Sequence, residues 1–86
     1  MVAALAVSPF DVIAEPNRRR ILDLLLEAER PVGDLVRALD VSQPAVSKHL
    51  RVLRDAGLVE STRRGTWAYY RLVPDAVREL RHTLGE

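Results

Sequence analysis

Eighty-six residues, 48% apolar and 29% charged, are enough for one small globular domain and too few for two. Cysteine is absent, so disulfides, thiolate metal sites and a cysteine nucleophile are excluded together. The net charge is only +1, yet residues 42–71 hold six Lys and Arg against two acids, while the segments on either side are net acidic. A polyanion partner is therefore expected at the centre of the chain.

The opening MVAALAVSPFDVIA has apolar character, but no basic residue precedes it, and Pro9 and Asp11 interrupt it. It is expected to be neither a signal peptide nor a membrane span, and no apolar run approaches the roughly 20 residues a span needs. A cytoplasmic protein with no membrane partner is expected. Phe10, Val12 and Ile13, in a short helix over about residues 8–14, need a surface to cover them. Pro16 suits the first turn of a helix running through NRRRILDLLLEAE to about Glu29. Arg18, Arg19 and Arg20 at its start oppose the helix dipole. The spacing favours stems that cover core edges with heads reaching water or an acid, over a phosphate contact by one of them.

Pro31 breaks the chain, and Val32, Leu35, Val36 and Leu39 have helical spacing. After the turn Asp40-Val41, Ser42 is a suitable N-cap for QPAVSKHLRVLRDA, with Pro44 in the first turn and Gly57 just past the end. Two helices joined by so short a turn have helix-turn-helix geometry. At about 100° per residue, Ala45, Val46, His49, Leu50, Val52, Leu53 and Ala56 fall on one side of the second helix. Gln43, Pro44, Ser47, Lys48, Arg51, Arg54 and Asp55 fall on the other. Gln43, Ser47 and Arg51 form a single ridge at i, i+4, i+8. His49 lies on the apolar flank, which favours a half-buried structural histidine over a phosphate contact or a metal ligand.

Beyond Gly57, LVESTRR and TWAYYRLV are strand-like and meet at Arg64-Gly65 in a hairpin with Arg63 and Arg64 at its tip. From Pro74 a last helix, to about residue 84, carries Val77, Leu80 and Leu84 at i, i+3, i+7. The expected fold is mainly α with a small β-hairpin (α+β), a single winged helix-turn-helix over residues 1–86.

The stretches EPNRRRILDLL, SQPAVSKHLRVLRDAGLVE and RRGTWAYYRL closely resemble the ArsR/SmtB family of bacterial transcriptional repressors over about residues 10–82. The block from Ser42 to Glu60 is the most specific part. The resemblance implies a homodimer built from the first and last helices, with Phe10, Ile13, Val77, Leu80 and Leu84 as its contacts. It also implies that the helix from Ser42 enters a major groove of double-stranded operator DNA with the hairpin as a wing. Ser42, Gln43, Pro44, Ser47, Lys48, Arg51 and Arg54 on that helix, and Arg63 and Arg64 on the wing, are the expected DNA-binding residues. Gln43 can bond adenine bidentately and Arg51 guanine, while Ser42, Lys48 and the helix N-terminus can hold phosphates.

Many members of that family sense thiophilic metals through cysteines near the start of the helix that here begins PVGDLV. Pro31, Val32, Gly33 and Asp34 offer one carboxylate and no sulfur. On the last helix Asp75, Glu79, His82 and Glu86 contain a single histidine, a poor zinc set that a solvated face explains. No metal and no cofactor are expected, and the effector is left open. The alternative is a winged-helix module that binds protein; the basic cluster speaks against it, because a protein-binding face would expose more apolar surface. An enzyme is not expected: Ser47 and His49 do not face each other, and no nucleophile elbow or phosphate-binding glycine loop occurs.

Overall fold

In the computed structural model, which describes residues 9–76 and 78, α1 (Pro9–Ala14) and α2 (Pro16–Glu27) are separated by Glu15 alone. Glu15 caps α2: its carboxylate accepts the Arg18 backbone N–H at 2.9 Å, and Pro16 follows where a missing N–H is harmless. α2 ends two residues earlier than its composition suggests. Ala28 is already extended, and the Arg30 guanidinium donates to the Leu24 carbonyl at 3.1 Å, beside the Ala28 backbone N–H that the same oxygen accepts at 3.4 Å.

The chain then forms β1 (Arg30–Pro31), where the sequence reading has only a break, and enters α3 (Val32–Leu39). Asp40 ends α3 in the left-handed conformation (φ 55°), a geometry that aspartate tolerates better than most residues. Ser42 starts α4 (Gln43–Asp55) by accepting the Ala45 N–H on its hydroxyl at 3.3 Å. At the far end, Gly57 (φ 80°) donates to the Arg54 carbonyl at 2.9 Å and Leu58 to the Leu53 carbonyl at 3.0 Å. This is the Schellman arrangement, with Leu53 and Leu58 both buried beneath it.

β2 (Val59–Arg64) and β3 (Trp67–Leu72) pair antiparallel from Val59↔Leu72 to Arg64↔Trp67. Gly65 supplies the positive φ (63°) at the first of the two turn residues, as a tight hairpin requires. The expected hairpin is part of a three-stranded sheet in the order β1-β3-β2, because Arg30 and Pro31 pair with Tyr70 and Tyr69. Residues 74–76 are helical again.

Ile21, Leu22, Leu35, Leu50, Leu53, Val12, Val46 and Val59 are almost fully enclosed, so one core joins α1 to α4 and the base of the sheet. The expectation for Ile13 needs correcting. It is 7% exposed and packs in the same core, next to Val12 at 0%, so this chain already covers it. The side chain of Phe10 and residues Val77, Leu80 and Leu84 lie outside the described residues. Among the described residues, no helix is long and apolar enough to cross a membrane.

Candidate nucleic-acid interface

α4 divides by burial along the line its periodicity draws. Val46, Leu50 and Leu53 are buried, while Ser42, Gln43, Pro44, Ser47, Lys48, Arg51 and Arg54 are all exposed. Ala56, placed inward by its angle, is exposed because the helix has ended. The Ser42 hydroxyl accepts the cap bond and keeps its own proton to donate.

The basic side chains separate into two groups. Arg19 pairs with Asp23, Arg30 with Glu27, Arg37 with Asp34, Arg64 with Glu29, Arg71 with Glu60 and Arg78 with Asp75. Arg18 donates to the Val12 carbonyl at 2.8 Å and Arg20 to the Ala38 carbonyl at 2.9 Å. The three arginines that open α2 thus serve the fold, each through a partner within the chain. Among the described residues, the cations left without an acid or carbonyl partner are Lys48, Arg51, Arg54 and Arg63. All four lie on α4 and the hairpin.

The hairpin arginines, expected to act as a pair, are not equivalent. Strand alternation puts them on opposite faces of β2. The Arg64 guanidinium lies 2.9 Å from one Glu29 carboxylate oxygen and 3.0 Å from the other, and sits 4.8 Å from the centre of the Tyr69 ring. Arg71 joins the same cluster, 2.9 Å from Glu60, 3.6 Å from Glu29 and hydrogen-bonded to the Thr62 hydroxyl. Glu29 braces the hairpin against the end of α2, and a phosphate contact by Arg64 would compete with it. Sequence reasoning missed Glu29 because nothing near it in the chain points to residues so far away.

His49 is half-buried, as its angle implies. Its Nδ1 is 3.5 Å from the Arg18 guanidinium, and its Nε2 faces the Glu15 carboxylate at 3.9 Å. Burial alone would raise the Glu15 carboxyl. The Arg18 and Asn17 backbone N–H groups with the charges of His49 and Arg18 outweigh it and hold the carboxyl below its ordinary value. This cluster ties α1 and α2 to the inner side of α4. Among the described residues, no group of three or more His, Asp or Glu side chains is arranged to hold a metal ion.

Residues 15–61, from the α2 cap through α4 to the start of the hairpin, match the family model for bacterial regulatory proteins of the arsR family. The chain belongs to the ArsR family. The Bacillus subtilis transcriptional repressor SdpR is 38% identical over 63 residues, which cover 73% of this chain and 70% of SdpR. The arsenical resistance operon repressor of Escherichia coli is 44% identical over 71 residues, 81% of this chain and 61% of the repressor. Among solved structures, the homodimeric winged helix-turn-helix DNA-binding domain of Mycobacterium bovis Mb0332 is 35% identical with a TM-score of 0.77, covering 85% of this chain and 68% of that one. The fold of this ArsR-family chain is accordingly the winged helix-turn-helix, with α3 and α4 as the two helices of the motif and β2–β3 as the wing.

Proposed function

We propose that this chain is a transcriptional repressor that binds an inverted-repeat operator as a homodimer, each protomer laying α4 into a major groove and its wing beside the backbone or minor groove. One observation carries the reading: among the described residues, the cations without an acid or carbonyl partner, Lys48, Arg51, Arg54 and Arg63, lie on α4 and the hairpin, where an acidic polymer would meet them. Gln43, Ser47 and Arg51 form the ridge that reads base edges. Ser42, Lys48 and Arg54, with the α4 N-terminus preceding Pro44, hold phosphates. Arg63 is the wing's phosphate contact, and Arg64 acts chiefly by bracing the wing through Glu29. Phe10, Val77, Leu80 and Leu84 are assigned to the dimer contact, without Ile13. Work of this kind is cytoplasmic. The inducing signal is not a thiolate-bound metal, since the chain has no cysteine.

Anisotropy of a labelled duplex from the chain's own promoter region, titrated at two salt concentrations, tests this. With about 6 to 10 phosphates contacted per dimer, affinity falls by about 10³ to 10⁵ between 50 and 200 mM salt, and the promoter binds more tightly than random DNA. Binding that ignores salt, or that does not distinguish promoter from random duplex, overturns the reading.

A further inference from the structure

β1 pairs with β3 through Arg30↔Tyr70 and Pro31↔Tyr69, so Glu29, the residue before β1, is fixed at the edge of the sheet beside the wing. Strand alternation gives Arg64 of β2 and Tyr69 and Arg71 of β3 to one face of the sheet, and Arg63 to the other face with the buried Val59. Glu29 reaches the first of these faces. Its carboxylate oxygens lie 2.9 and 3.0 Å from the Arg64 guanidinium, and Arg71 approaches it to 3.6 Å. The Arg64 side chain is 55% exposed and the Glu29 side chain 28%, so the acid is the better anchored member of the pair. Arg63, one residue away at the same hairpin tip, has no acid or carbonyl partner among the described residues.

Resting on the DNA-binding reading above, we propose that Glu29 is a restraining residue of the wing: it holds Arg64 away from phosphate and so limits how strongly the chain binds any duplex. The argument is one of competition. A carboxylate and a phosphate offer a guanidinium the same charge-assisted hydrogen bonds, so each bond that Arg64 gives to Glu29 is withheld from DNA. Glu29 is already in place, held by the β1 pairing, whereas a phosphate has still to be brought there. The Tyr69 ring, 4.8 Å from the Arg64 guanidinium, adds to the hold. A cation that meets no phosphate releases no counterions, so binding is weaker and less dependent on salt than two exposed arginines at the wing tip would make it. The nearly isosteric Glu29→Gln removes the charge and keeps an oxygen at the sheet edge, which frees Arg64 to swing around the tip to the backbone.

Anisotropy of labelled promoter and random duplexes over a series of salt concentrations is measured for the wild type, Glu29→Gln, Arg64→Ala and the double variant, with circular dichroism on each to show that the hairpin is retained. The slope of log affinity against log salt counts the phosphates engaged, and a merely loosened hairpin does not increase it. Glu29→Gln is expected to steepen the slope by about 2 per dimer and, at low salt, to raise affinity for both duplexes on the order of tenfold. Arg64→Ala leaves the slope at the wild-type value, and the double variant gains nothing over Arg64→Ala. A gain that survives without Arg64 comes from the lost acid charge alone and overturns the proposal, as does a Glu29→Gln slope no steeper than wild type. An Arg64→Ala slope flatter by about 1 per protomer makes Arg64 a phosphate contact in spite of Glu29 and also overturns it. That arm decides even where Glu29→Gln fails to fold. Wild-type protein that binds promoter and random duplex alike defeats the repressor reading and leaves the comparison of slopes in force, whereas wild type that binds neither defeats both.

Discussion

Gln43 and Arg63 are both exposed and polar, but a base edge and a phosphate ask different things of them. A glutamine amide donates and accepts at once, which matches adenine and little else in the major groove, whereas an arginine beside the backbone meets the same charge at every sequence. Gln43→Ala should therefore lower operator affinity by about 1 to 3 kcal/mol and relax preference at one or two base pairs per half-site, leaving affinity for random duplex nearly unchanged. Competition against operators mutated one base pair at a time measures it, and equal weakening on operator and random DNA removes Gln43 from base reading. Arg63→Ala should weaken binding to all sequences and reduce the salt slope by about 1 per protomer. A slope identical to wild type takes Arg63 off the backbone.

At the scale of elements, caps made most of the architecture legible and contacts distant in sequence hid the rest. Ser42 and Gly57 announce the ends of α4 through local chemistry, and the polar ridge between them needs only the helical period. β1 could not be read this way: two residues carry no alternation, and Pro31, lacking an N–H, fits only an edge strand. The Glu29–Arg64 brace was hidden for a related reason, since the hairpin sequence shows a basic tip but not which of its arginines is already held. The Glu15 cap is an element-scale device with a pH signature. Its carboxyl is held below the ordinary value of 4.5 in the folded chain, so the stability it contributes is complete above that pH and is lost as pH falls through the folded value. Glu15→Gln should thus lower stability at neutral pH by a few tenths to about 1 kcal/mol, discounted for the partial exposure of the carboxylate. The difference from wild type should shrink to nothing in acid. Urea unfolding of both proteins across the acid range measures it, and a gap that persists below the folded value would assign the loss to packing.

At the scale of the whole molecule, the proposed complex gives each protomer one reading ridge, and a single ridge of a few side chains spans too few base pairs to single out a promoter. Specific repression then rests on two copies held at fixed separation, which converts protein symmetry into operator symmetry. A rigid dimer with α4 in successive major grooves requires half-site centres about 34 to 36 Å apart, one turn of the duplex. Inserting about half a turn, some 5 base pairs, between the half-sites rotates one of them to the far face and should reduce affinity to that of a single half-site. Adding a full turn should not restore it, because the second half-site returns to the correct face but lies a whole turn beyond the reach of the partner's α4. Anisotropy on the three spacings distinguishes this from independent binding, in which every spacing gives the same affinity and the two protomers act as separate modules.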